Sequence, residues 1–552
     1  MKQLFQFYNQ ESNAPKGKIW FMASVSGISN AILLSIINIA AAQISNQALE
    51  VRFFIIYLAA LILFIYAQRY ALTETTIAVE ELIRNVRLRL VNKLRHAELR
   101  FIESHNPTEL YRPITEESNA ISFAATVLVS GSQSIILLVS VSIYLGFLSL
   151  LSFLICVVFI IVALFIYKEH HKKIRAKLEE SYRKESEVFS AITTTLNGFK
   201  EIKINRAKSD GLFQHITRTS DEYKAIKVDA NLRLIVDMMF SQISFYTLLL
   251  VLVFIVPVFD HTQADIVFKV SATILFIMGP INGLVNSLPL LAKVNVTIEG
   301  LYHLEQELDS SMAERRESEE SLQAPAMSYM NNLTLDDLYF HYTNSQGQTL
   351  FEAGPFNFSA RAGEMIFIVG GNGSGKSTLL KLLCGLYYPD RGHIRVDETR
   401  IDHLNYPAYR ELFSIVFTDF YLFDRLYGLE HIDIQRLNRL LKEMKLDHKT
   451  QFIDGRFTNR DLSTGQKKRL AFIIAVLEQK PICIFDELAA DQDPEFRKNF
   501  YEKILPELKQ EGRLVIAVTH DDRYFHCADR VLKMDFGRLV ELDPSEFASS
   551  RA

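Results

Sequence analysis

The chain has 552 residues, room for more than one domain, with 60 Lys and Arg against 64 Asp and Glu and a formal net charge of −4 at pH 7. That charge says nothing of partners, and no interleaving of basic and aromatic residues points to nucleic acid, so none is expected. The four cysteines, Cys156, Cys384, Cys483 and Cys527, have no metal-ligand spacing and are expected to be reduced and structural.

The mean hydropathy of +0.09 is an average over two unlike halves. Apolar stretches able to cross a bilayer, about 20 residues for a core about 30 Å thick, run over 19–44, 51–72, 121–148, 150–167, 231–259 and 266–292. They predict six transmembrane helices. Buried helices of a soluble protein would be shorter and more often interrupted by charge. Here charges are few and lie at or near the span ends, Asp237, Asp265 and Lys269 among them. The first span is long and lacks a small-residue cleavage site, so it reads as a retained helix and not as a signal peptide.

Orientation follows from Lys and Arg. Segments 68–120 and 168–230 carry Arg84, Arg87, Arg89, Lys93, Arg95, Lys168, Lys172, Lys173 and Arg175 among others, whereas 45–50 and 260–265 carry none. Both long loops, the N-terminus and the second half of the chain are therefore expected in the cytoplasm. Charges at helical spacing in those loops predict that the membrane helices continue far into the cytosol. Within the spans, Ser26, Ser29, Asn30, Asn38, Ser130, Gln133, Ser241, Gln242, Tyr246, Asn282 and Asn286 either line a cavity or hydrogen-bond between helices. Asp237 is singled out, because an ionisable group near membrane depth marks a pathway or pairs with a partner.

The polar stretch 310–321 reads as a linker, which divides the chain into a membrane part over 1–308, a linker over 309–329 and an α/β domain over 330–552. In the last part, the apolar run 365–369 leads into Gly370-Gly371-Asn372-Gly373-Ser374-Gly375-Lys376-Ser377-Thr378 and then an apolar helix. Strand, glycine loop and helix in that order form a P-loop, because glycines let successive N–H groups converge on phosphate oxygens at a positive helix end. Lys376 is placed to reach the β- and γ-phosphates, and Ser377 to ligate Mg²⁺. Residues 481–487 read as a buried strand ending in Asp486 and Glu487. Asp486 is expected to hold Mg²⁺ through water, and Glu487 to polarise the attacking water. A second buried run, 514–518, ends at Thr519-His520, with His520 expected at the γ-phosphate.

Between these lies Leu462-Ser463-Thr464-Gly465-Gln466, which resembles the LSGGQ signature of ABC ATPases with Thr464 in place of the first glycine. The resemblance implies further roles in the same order: Tyr342 stacking on adenine, Ser463, Gly465 and Gln466 contacting nucleotide, Asp491 in the D-loop and His520 as the switch histidine. The family's Q-loop glutamine falls at Thr418, which still offers an oxygen to Mg²⁺ or water but has a shorter reach. The whole chain resembles an ABC exporter in which six spans precede the ATPase domain. Residues 416–419, 462–470 and 485–494 look like the bacterial group that exports cyclic peptides and siderophores, including the syringomycin, pyoverdine and microcin exporters.

That resemblance implies an α-helical polytopic membrane domain followed by an α/β P-loop domain, with ATP and Mg²⁺ as cofactors. It implies a homodimer, because one P-loop and one signature per chain require a second copy to complete a site. It also implies a peptide-like cargo, a lipid surround and a multi-pass location in a bacterial inner membrane. A lipid or glycolipid flippase is the alternative, and a non-pumping sensor or channel fits less well with Glu487 and His520 in place. By analogy with ABC exporters, coupling elements are expected near 103–114 and 198–207.

Overall fold

The computed structural model describes residue 11 and residues 15–45, 51–260, 264–311, 327–343, 348–429 and 432–543. The expected linker falls mostly on 312–326, outside the described residues. The chain forms two units, Met1–Arg95 with His105–Asp309, and His96–Ser104 with Ser310–Ala552.

The first unit is helical, built mainly from Lys16–Ser45, Val51–Arg95, Pro107–Leu148, Leu150–Asn197, Arg206–Leu250 and Ala264–Ser311. Several exceed 40 residues, longer than about 20 residues needed to cross a bilayer, because charged helical turns continue their apolar runs. Among the described residues, five helices are long and apolar enough to span a membrane, and Leu150–Val162, in the fourth expected span, is a shorter apolar stretch.

Helix contacts use small and polar residues, as expected where apolar surface alone does not drive association. A Cβ added at Gly27 would lie 2.9 Å from Ile136 Cγ2 and 3.0 Å from the Gln133 carbonyl, so glycine permits the close crossing of Lys16–Ser45 with Pro107–Leu148. Asn38 Nδ2 donates to Thr273 Oγ1 at 2.9 Å, which makes this span residue an interhelical link. Asp237 is buried. At the polar ends of the helices, Arg89 pairs with Glu11 at 2.7 Å and Glu305 at 2.9 Å, and Lys93 pairs with Glu305 at 2.7 Å and Asp309 at 2.8 Å. The second expected coupling element, 198–207, contains the short helix Phe199–Ile204, on which Phe199 and Ile204 are exposed.

The expected element at 103–114 falls across two helices. The short helix is Leu99–Ser104, and the next long helix begins at Pro107, whose missing N–H and fixed φ suit a helix start. Leu99–Ser104 packs within the second unit. There Glu103 accepts from Lys381 Nζ at 2.7 Å and from the Tyr387 hydroxyl, and Arg100 donates to Thr343 Oγ1 at 2.7 Å.

The second unit holds two large sheets. An antiparallel sheet, in order β2-β1-β4-β5, uses Asn332–Thr343 (β1), Thr349–Arg361 (β2), Arg391–Val396 (β4) and Thr399–Ile401 (β5). The larger sheet, in order β12-β11-β3-β10-β9-β6, uses Met365–Val369 (β3), Phe413–Val416 (β6), Ile482–Asp486 (β9), Leu514–Val518 (β10), Arg530–Asp535 (β11) and Arg538–Glu541 (β12). A two-stranded hairpin, Phe452–Ile453 (β7) with Arg456–Phe457 (β8), stands apart.

Strands β3, β9 and β10 are short, fully buried apolar runs, the pattern of a parallel sheet covered on both faces. Their side chains alternate between two cores. Ile366, Ile368, Ile484 and Ile516 enter one, and Phe367, Cys483, Phe485 and Ala517 enter the other. Because β6, β9, β10 and β3 are neighbours and parallel, their carboxyl ends lie side by side. That edge is where an open α/β sheet collects ligand-binding loops.

Candidate active site

Strand β3 ends at Gly370, and the loop to the helix Lys376–Leu383 turns through Gly370, Gly373 and Gly375 with φ of 152°, 75° and 106°. The requirement for glycine is strictest at Gly370, where a Cβ would come 2.4 Å from the Met534 carbonyl. Lys376 is 7% exposed, and its ammonium donates to the carbonyls of Gly370 at 2.8 Å and Gly371 at 3.1 Å. The cation is therefore held over the mouth of its own loop.

Strand β6 is followed by Thr418, and β9 ends at Asp486, which is 5% exposed. Thr418 Oγ1 donates to Asp486 Oδ2 at 2.9 Å. Burial pushes the Asp486 carboxyl above its usual range, and the hydrogen bonds from Thr418 pull against that rise. Glu487 follows with φ of 50°, a left-handed conformation uncommon for a side-chain-bearing residue. Its carboxylate Oε1 lies 3.1 Å from Nε2 of His520, two residues past the end of β10.

These strand ends enclose a cavity of about 410 Å³ lined by Tyr342, Phe351, Asn372, Gly373, Ser374, Gly375, Lys376, Ser377, Thr378, Thr418, Asp486 and Glu487. The structure thus gathers most of the site residues expected from sequence around one space, with His520 joined through Glu487. Gly370 shapes the loop behind it. Phe351 was missed, although it pairs with Tyr342 across the β1–β2 register. The rings of Tyr342 and Phe351 have centroids 6.4 Å apart, and the Tyr342 hydroxyl lies 3.3 Å from Thr378 Oγ1. Two aromatic rings beside the loop form an apolar wall suited to a planar base.

Ser463, Gly465, Gln466 and Asp491 do not line that cavity. Ser463 is the N-cap of the helix Thr464–Leu477 and forms a capping box with Gln466. This explains why serine and glutamine occur three residues apart there: each side chain satisfies an otherwise orphaned N–H. A Cβ on Gly465 would meet the Asp491 carbonyl at 3.0 Å, so a small residue lets the helix approach the 487–493 turn.

The residues fit a nucleotide with a hydrated divalent cation. Ser374 Oγ is buried without a hydrogen-bond partner beside the glycine loop, an acceptor-donor group left for a phosphate oxygen. Among the described residues no three or more His, Cys, Asp or Glu side chains are grouped to hold a metal by themselves. Ser377, Asp486 and Thr418 instead offer a few oxygen donors, the arrangement Mg²⁺ uses when phosphates and waters complete its shell.

Residues 19–279 match the ABC transporter transmembrane region family, and residues 354–490 match the ABC transporter family. The ATP-binding protein SyrD of Pseudomonas syringae pv. syringae is 34% identical over 377 residues, 66% of each chain. An ATP-dependent lipid A-core flippase of Pseudomonas putida is 26% identical over 485 residues, 83% of this chain and 77% of its own. The structure of a bacterial Atm1-family ABC exporter with ATP bound superposes with a TM-score of 0.77 at 17% identity, covering 97% of this chain and 95% of that chain. The fold agrees with this architecture: a multi-pass helical unit and a P-loop α/β unit. The chain belongs to the ABC transporter family, with a transmembrane region and an ABC cassette fused in one chain.

Proposed function

We propose that the chain is one half of an ATP-driven exporter that works as a homodimer in a bacterial inner membrane, with the cassette in the cytoplasm, six spans per chain and a peptide-like molecule as cargo. The observation that carries this reading is the separation of two motif sets within one cassette. The glycine loop, Asp486 and Glu487 line the cavity, whereas Ser463 and Gly465 lie outside it. A second copy supplies its own Ser463 and Gly465 to close the nucleotide, and closure is then available to drive the membrane helices.

In that site Lys376 leaves its loop carbonyls for the β- and γ-phosphates, and the N–H groups of residues 373–378 bind the remaining oxygens. Ser377, with Asp486 and Thr418 through water, would hold Mg²⁺, which would supply positive charge against the phosphates. Glu487 takes a proton from water as the water oxygen bonds to the γ-phosphorus and the bond to the β-phosphate oxygen breaks. His520 orients the Glu487 carboxylate and contacts the γ-phosphate.

Peptide cargo is supported by the cassette strings at 416–419, 462–470 and 485–494, which resemble those of cyclic peptide and siderophore exporters. A lipid flippase is the second reading, favoured by the similarity to a lipid A-core flippase along 83% of this chain. The test is reconstitution in inside-out proteoliposomes with ATP and Mg²⁺, scoring uptake of a cyclic lipopeptide against inward loss of a fluorescent lipid, with Glu487→Gln as control. Peptide uptake that depends on Glu487 supports export. Lipid translocation without peptide uptake transfers the assignment to the flippase.

A further inference from the structure

The helix that begins with the Ser463 cap carries a second basic residue, Lys468, whose side chain is 5% exposed. Its Nζ lies 2.7 Å from Asp491 Oδ2 and donates to the backbone carbonyl of Glu487 at 2.9 Å. A buried ammonium is costly unless paired and hydrogen-bonded, so this position is fixed by those two acceptors together. The Glu487 N–H, on the other side of the same residue, donates to the Val518 carbonyl at 3.2 Å. Both backbone groups of the left-handed residue are thus clamped, which leaves its carboxylate directed at His520.

Neighbouring contacts join the same two segments. Gln492 Nε2 donates to the Gly465 carbonyl at 2.9 Å, Arg469 Nε donates to Gln492 Oε1 at 2.8 Å, and Arg469 also pairs with Asp493 at 2.6 Å. The first two turns of the helix and the segment after β9 are therefore one braced body. From the helix it is the Lys468 side chain that reaches the Glu487 carbonyl, which also accepts from the Ala490 N–H at 3.3 Å.

We propose that Lys468 is a positioning residue that gears the two ATP sites of the dimer, by tying the base of one site to the Ser463 helix that closes the other. This rests on the homodimeric transporter reading above. When this chain's Ser463 engages nucleotide on the partner, the helix shifts with it, and Lys468 sets the Glu487 peptide in the pose that serves this chain's own nucleotide. Occupancy of one site then controls hydrolysis in the other.

The test uses the full chain in lipid nanodiscs with Mg²⁺ and ATP, comparing wild type with Lys468→Met, Lys468→Gln and Lys468→Arg. Wild type should show a Hill coefficient above 1 for ATP, bounded by its two sites. Lys468→Met should lower kcat by about tenfold to a hundredfold, the scale of a misplaced catalytic group, and bring the Hill coefficient to about 1. ATP affinity measured with a fluorescent ATP analogue should stay within about twofold of wild type, because no phosphate contact is lost. Lys468→Arg should recover most of the rate and the cooperativity, with Lys468→Gln in between. A Lys468→Met protein with wild-type kcat and Hill coefficient overturns the inference, as does a wild-type Hill coefficient of about 1. Equal loss of binding and rate in all three variants also overturns it, since that would mark a merely structural lysine. Wild type without ATPase overturns the transporter reading and this inference with it, whereas an active wild type insensitive at Lys468 overturns this inference alone.

Discussion

Thr418 donates its hydroxyl to the buried carboxylate of Asp486 at 2.9 Å, so the position where ABC ATPases usually have a glutamine is engaged inside the site. A threonine oxygen in this place stabilises the ionised form of Asp486 against the effect of burial. Its reach is taken up locally. A glutamine side chain would have length to spare.

Removing that hydroxyl at constant shape with Thr418→Val should raise the Mg²⁺ concentration for half-maximal ATPase about fivefold, the equivalent of one hydrogen bond worth about 1 kcal/mol. Thr418→Gln should lower the basal ATPase or increase its stimulation by cargo, measured in nanodiscs with and without peptide. Identical stimulation ratios in Thr418→Gln and wild type would show that the position carries no coupling.

Glu487→Gln keeps the size and the contact with His520 but removes the proton acceptor. ATP hydrolysis should fall by about 10² to 10⁴ with ATP binding retained. Single-turnover hydrolysis alongside equilibrium binding separates the two effects, and near-normal turnover would remove Glu487 from the base role.

If sites are shared between copies, a mixed dimer with Lys376→Ala in one chain and Ser463→Arg in the other places both lesions in the same site. The opposite site stays whole. Purification through two different tags followed by vanadate trapping should then retain one nucleotide per dimer. No trapped nucleotide would mean that each chain builds its site alone. Each lesion should cost several-fold or more in closed-state binding, since one removes a phosphate-binding charge and the other places a bulky cation at the helix cap.

Glu478, at the end of the Thr464–Leu477 helix, is held above the usual 4.5 chiefly by burial, with Ser414 Oγ bonded to its Oε2 at 2.7 Å opposing the rise. A folded-state pKa above the unfolded one means that the stability tied to this group is full below about 4.5 and declines as pH rises through the folded value. Glu478→Gln keeps the acceptor for Ser414 and cannot ionise. Its melting temperature should exceed that of wild type at about pH 8, and the difference should shrink toward about pH 4.5. A difference independent of pH would place the effect in packing.

Some of this protein is written locally and so is legible without a fold. Apolar runs long enough to cross a bilayer, the strand–glycine–helix order at 365–383 and the buried runs before Asp486 and His520 depend only on consecutive residues, because period, propensity and backbone freedom act over one element. The break between helices near 105 was not legible, because the short helix of six residues before it, Leu99–Ser104, has little periodicity to read. What the tertiary structure decided were the pairings between distant segments. Phe351 reached the cavity through the register of β1 with β2, Thr418 met Asp486 because β6 lies beside β9, and Lys468 became buried only where its helix packs on the turn after β9. Each depends on strand order and helix docking, which arise from burial summed over the whole cassette core, and no single stretch of sequence carries that sum.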